Sequence, residues 1–105
     1  MSHAESRVSI IRFVDEHQLG FVEGEFTDAN GTVHTLVDKV PVFSLEDLWN
    51  NSVYPQPGFA RCEVLARSRD SRGQLARVTI ARPDRLQSSR GLSEFLVLES
   101  QLSGS

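Results

Sequence analysis

The sequence predicts an all-β fold: a small six-stranded barrel or rolled antiparallel sheet built from hairpins, with one short helix near residues 45–50. Three observations carry that prediction. Asp28-Ala29-Asn30-Gly31 and Asp70-Ser71-Arg72-Gly73 repeat an Asp-x-x-Gly turn at an offset of 42 residues, and Pro41 and Pro83 follow at the same offset. An Asp side chain can cap a tight turn while Gly accepts the left-handed conformation that closes it, so each turn marks a hairpin. The segments flanking the turns are rich in Val, Ile, Phe and Thr, which suit a pleated surface, and only one stretch of the chain shows helical spacing.

Residues 7–14 form the first expected strand, with Val8, Ile10, Ile11, Phe13 and Val14 supplying β-favouring side chains. Asp15-Glu16-His17-Gln18-Leu19-Gly20 breaks that pattern, and residues 21–27 then alternate, with Val22, Gly24 and Phe26 facing one way and Phe21, Glu23 and Glu25 the other. Gly24 in mid-strand reads as a bulge or a tight bend. After the first turn, residues 32–40 resume strand character until Pro41, which cannot donate to a ladder. Ser44-Leu45-Glu46-Asp47-Leu48-Trp49 is the helical stretch: Ser44 caps it, the acids suit its positive end, and Leu45, Leu48 and Trp49 make an apolar face. Residues 50–58, with Pro55 and Pro57, link the halves. Strands over 59–69, 74–82 and 93–99 complete the six.

A chain of 105 residues supports one domain, 1–105, with residues 1–6 and 103–105 read as flexible ends. No apolar run approaches the roughly 20 residues that span a bilayer, and the polar start Met-Ser-His-Ala-Glu-Ser lacks a basic-then-apolar leader pattern. A cytoplasmic protein with no membrane partner is the expectation. The single cysteine, Cys62, shares its strand parity with Val64 and Ala66 and reads as a small core residue.

Charge is divided unevenly. Through residue 53 there are three basic and nine acidic residues, a balance of −6, whereas from residue 54 there are eight arginines and five acids, a balance of +3. Arg61, Arg67 and Arg69 share one parity, and Arg77 on the partner strand can join them in a positive strip. With stacking aromatics, such a strip suits RNA or single-stranded DNA, but aromatics are missing from these strands and the chain is acidic overall. The acidic face of Glu23 and Glu25 and the loop carrying Trp49 and Tyr54 are the other candidate interaction surfaces. His34 and Asp38 share a strand face that Glu23 or Glu25 can approach, the nearest thing to a metal site. No Gly-x-Ser-x-Gly elbow and no Gly-rich phosphate loop occurs, so catalysis is not expected and no cofactor is implied.

The stretch Phe21-Val22-Glu23-Gly24-Glu25-Phe26-Thr27-Asp28-Ala29-Asn30-Gly31, with His34-Thr35 and Asp38-Lys39-Val40-Pro41-Val42-Phe43, resembles a group of short bacterial proteins of uncharacterised function. The similarity extends to Cys62-Glu63-Val64 and Gly91-Leu92-Ser93-Glu94-Phe95. It implies a stand-alone bacterial module and carries no activity, cofactor or site. The expected function is a non-catalytic module that binds another protein or itself as a homodimer. The alternatives are a small barrel that binds nucleic acid on its arginines and a small-ligand or metal-binding barrel.

Overall fold

Strand β1 (Ser2–Asp15) is the spine of the computed structural model, which describes residues 2–15 and 20–103. Fourteen extended residues reach about 46 Å at ~3.3 Å per residue, and the molecule's long axis is 42 Å. The strand starts at Ser2 rather than at Arg7, because residues 2–6 pair with β4. Small side chains make this possible: Ala4 and Ser6 alternate inward ahead of Val8 and Ile10. Residues 16–19 of the expected break, including His17, lie outside the described residues, as do residues 104 and 105 of the C-terminal end.

The remaining strands are β2 (Phe21–Thr27), β3 (Val33–Lys39), β4 (Gln56–Asp70), β5 (Gly73–Thr79), β6 (Glu94–Leu98) and the two-residue β7 (Leu102–Ser103). The sheet order is β3-β2-β1-β4-β5-β6, and every pairing is antiparallel. The first half of β1 pairs with β4 and the second half with β2, so the β2–β3 hairpin and the β4–β5–β6 meander flank it on opposite edges. Register shifts around Ile11 and Val14 in β1 and around Leu65 in β4 are bulges, which increase twist and curl the sheet. After β6, a 3-10 turn (Glu99–Gln101) brings β7 back to Glu5 and Ser6 of β1. The result is a rolled, half-barrel sheet.

Three hydrogen bonds draw the two flanks together across the roll. Ala29 N–H donates to Leu96 O at 2.8 Å, Ser89 N–H to Thr35 O at 2.8 Å, and Gln101 Nε2 to Thr27 O at 2.8 Å. Curling also brings the two Asp-x-x-Gly turns into contact. Asp28 Oδ1 accepts from the N–H groups of Asn30 and Thr32, Asp70 Oδ1 accepts from Arg72 N–H, and Gly31 and Gly73 take φ of +83° and +108°. Arg72 then reaches from the second turn to Ala29 O (3.1 Å) and Asn30 Oδ1 (2.7 Å) of the first.

The core lies on the concave face, where Ile10, Val22, Leu36, Cys62, Val78 and Val97 are fully or almost fully buried. Gly24 sits opposite Ile10 beside the Ile11 bulge, and a Cβ there would lie 2.6 Å from Val8 Cγ1, so glycine permits close approach of β1 and β2. The one short helix, α1 (Val40–Phe43), precedes the expected span. Pro41, pre-set for a first helical turn, starts it, and Phe43 is fully buried in the core cluster. Residues 44–49 are irregular rather than helical, because Ser44 turns outward to extended backbone and ends the turn. Among the described residues no helix is long and apolar enough to cross a membrane.

Candidate functional site

The segment that follows α1 is pinned through its backbone and displays its large side chains. Ser44 Oγ accepts from Glu46 N–H at 3.0 Å. Trp49 N–H donates to Ser52 Oγ (2.9 Å), while Trp49 O accepts from Ser52 N–H (3.1 Å) and from the Tyr54 hydroxyl (2.7 Å). Leu48 is buried and anchors the segment, and Tyr54 packs against the core. By contrast, Leu45 is 93% exposed, Trp49 63% and Val53 80%. Leu45, Leu48 and Trp49 line a cavity of about 290 Å³ together with Pro41, and Glu46 and Asp47 place two exposed carboxylates on it. Among the described residues neither carboxylate forms an ion pair. Of the residues expected here, Trp49 is displayed and Tyr54 acts as its strut. Leu45 and Val53 were not expected; their signal was the shortness of the helical stretch, which leaves no second turn to hold Leu45 and Trp49 against a core.

The arginines do not form one strip. The bulge at Leu65 reverses the parity of β4: Val64 pairs with Val78, but Ala66 pairs with Arg77 and Arg67 with Ala76. Cross-strand partners share a face, so Arg61 and Arg77 lie on the convex face while Arg67 and Arg69 fall on the side of Ala76 and Gln74. Three of the four are also engaged. Arg61 binds Asp84 through Nε (3.0 Å) and Nη2 (2.5 Å), and this partner raises its pKa. Arg67 is ion-paired with Glu99, and Gln74, in the amide orientation that satisfies both neighbours, bridges Arg69 (2.8 Å) and Glu99 (3.0 Å). Arg77 has no partner among the described residues. The ion pairs of the arginine-rich half stay within that half, including Arg82 with the buried Glu63 at 2.7 Å.

The acidic strand face and the His34 group are also rearranged. Glu23 and Glu25 pair across the hairpin with Val37 and Thr35, on the face opposite His34 and Asp38, and Glu23 binds Arg12 at 3.0 Å. His34 is not on a solvated face: it is 7% exposed, with ring centroids 4.5 Å from Phe95 and 5.3 Å from Phe26. Its partner is Asp28, whose Oδ2 lies 2.8 Å from His34 Nε2, whereas Asp38 accepts from Lys39 N–H. Two-residue alternation put Asp38 on the same face but too far along the strand, and the turn brings Asp28 back instead. Burial pushes the Asp28 carboxyl up, but hydrogen bonds from His34, Thr32 and Asn30, with the charge of His34, outweigh it and hold the carboxyl below its ordinary value. Among the described residues no three His, Cys, Asp or Glu side chains are placed to hold a metal. Cys62 donates to Ala4 O, and burial, with the nearby charge of Glu5, pushes its thiol up to about 11.

Comparison of the chain with protein-family models, with curated proteins and with solved structures gave no match. What the chain can do is therefore read from its own geometry.

Proposed function

We propose that this protein is a non-catalytic binding module that captures another protein through Leu45, Trp49 and Val53. The observation that carries this reading is the contrast between a hydrogen-bonded backbone around Trp49 and three large apolar side chains left in solvent on the same short segment. A pinned backbone lowers the ordering cost of binding, and a Trp that becomes fully buried is a frequent energetic anchor of interfaces. Glu46 and Asp47, exposed at the rim of the same cavity, select the partner's chemistry. The fitting occupant is a segment whose apolar side chains are flanked by Lys or Arg.

Trp49 is the only tryptophan, so its emission reports on this surface directly. A synthetic peptide alternating Leu and Lys is titrated against one alternating Leu and Glu, with light scattering on the same samples. A saturable blue shift with the basic peptide alone is the expected result. An equal response to the acidic peptide, or no response to either, overturns the reading. A blue-shifted dimer formed by the protein alone also overturns it, because the occupant is then a second copy.

A further inference from the structure

The first Asp-x-x-Gly turn carries a chemistry that the Trp49 segment does not share. Asn30 is the only one of the three asparagines followed by glycine, and both residues are exposed. A glycine nitrogen has no neighbouring side chain to shield it, so an Asn-Gly pair is open to attack of the backbone nitrogen on the side-chain amide. In that reaction Gly31 N gives up its proton and bonds to Asn30 Cγ, the Cγ–Nδ2 bond breaks, and ammonia leaves with that proton. Water then opens the cyclic imide at either carbonyl, giving aspartate or isoaspartate. One water is consumed and one ammonia released, and no other reactant is needed. A Cβ at Gly31 would meet nothing within 4 Å, so water reaches the turn freely.

The native turn opposes this step. Gly31 N–H donates to Asp28 O at 3.1 Å, and Ala29 and Asn30 both keep negative φ, so the turn is type I and Asn30 sits at a ψ of about 0°. There Gly31 N eclipses the nitrogen of Asn30, whereas a five-membered ring needs it beside Asn30 Cβ. The side chain is held as well. Asn30 Oδ1 accepts from Arg72 Nη1 at 2.7 Å, the same nitrogen donates to Ala29 O at 3.1 Å, and Asp70 fixes the guanidinium through Nε (3.1 Å) and Nη2 (2.6 Å). Ring closure therefore requires the Asp28–Gly31 hydrogen bond and the Arg72 clamp to be released together. A cation on Oδ1 also favours the negative charge that builds there during attack, but it acts only on a geometry that the closed turn forbids.

We propose that Asn30 is a deamidation site guarded by Arg72, so that the contact between the two hairpin turns sets how fast the chain is modified. Isoaspartate at residue 30 lengthens the backbone by one methylene where the two flanks meet, and so undoes the contact that protected it. The test is peptide mapping by mass spectrometry of protein incubated at mildly alkaline pH, with fragmentation separating isoaspartate from aspartate at residue 30. The folded parent is compared with its guanidinium-unfolded chain, with Arg72→Ala, and with Arg82→Ala, which weakens the fold away from the turn. Arg72 is exposed, and circular dichroism checks that both variants are folded at the incubation temperature. Conversion at least about tenfold slower in the folded parent than in the unfolded chain, about fivefold faster in Arg72→Ala than in the folded parent, and unchanged in Arg82→Ala is expected. A folded parent that converts as fast as the unfolded chain, or an Arg72→Ala protein that converts no faster than the parent, overturns the proposal. Equal acceleration in both variants overturns it too, because protection then follows global stability rather than the clamp.

Discussion

Gly58→Ala probes the packing of α1 on the sheet at a single atom. Gly58 pairs with Val8 in the β1–β4 ladder, and its backbone is in an ordinary conformation, so an alanine there meets no conformational barrier. The added Cβ would lie 2.6 Å from Ile10 Cδ1, 2.8 Å from Ile10 Cγ1 and 2.7 Å from Phe43 O. Ordinary carbon contacts lie at about 3.5–4.0 Å, so each approach is too close by about 1 Å. Ile10 and Phe43 are both fully buried, and the carbonyl belongs to the backbone of α1, so the overlap is relieved only by moving the turn. Overpacking of this kind costs about 1–3 kcal/mol, offset by about 0.4–1 kcal/mol from a less flexible unfolded chain. The expected net loss is about 1–2 kcal/mol, or roughly 5–15 °C in melting temperature for a domain of this size. Urea and thermal unfolding followed by far-ultraviolet circular dichroism measure it, because the exposed Trp49 is a poor reporter of the core. Ile10→Val removes the Cδ1 atom, so Gly58→Ala should cost less in that background. A Gly58→Ala protein as stable as the parent would refute the seating of α1 against β4.

Arg82→Ala strands the buried Glu63 carboxylate and is expected to cost about 1–3 kcal/mol, whereas Arg12→Ala, which loosens a more exposed pair with Glu23, costs under about 1 kcal/mol; chemical denaturation of both variants compares them. Because the folded Asp28 carboxyl titrates below its unfolded value of 3.8, its stabilising contribution is present above that pH and is lost as the pH falls through the folded value. Asp28→Asn should therefore lower stability at neutral pH by about 1–3 kcal/mol and flatten its decline in acid, as read from melting temperatures across the acid range. Cys62 is fully buried with its thiol raised to about 11, so a thiol reagent at pH 8 should label the native protein only at the rate of opening and the unfolded protein at once.

Much of the fold was legible because turn chemistry is local. Asp28, Gly31, Asp70 and Gly73 state their conformations in four-residue windows, and β2 beside the first turn alternates cleanly. Cys62 was legible for the same reason, its parity with Val64 surviving up to the bulge. The arginine strip failed at Leu65, where one extra residue in β4 reverses every side chain beyond it; parity counted along a strand carries no information about such an insertion. The polar segment at residues 2–6 hid a central strand because its inward positions are filled by Ala4 and Ser6, small enough for the crowded middle of the roll. At His34 the alternation was right and the partner wrong, since Asp28 reaches it across a turn rather than along a strand. The Trp49 segment was recognised by its aromatics, but exposure of Leu45 depends on where α1 stops. Ser44 ends it by turning to extended backbone, a choice that propensity does not specify.

The reading of this molecule as a rigid sheet that displays a binding segment is tested most directly by calorimetric titration of the Leu-Lys peptide into the parent and into a Leu45→Ser, Trp49→Ala, Val53→Ser variant. All three side chains are mostly in solvent, so the variant should melt at the parent's temperature while losing the heat of binding. Equal binding by both proteins would contradict the account, as would a variant that loses its fold along with its binding.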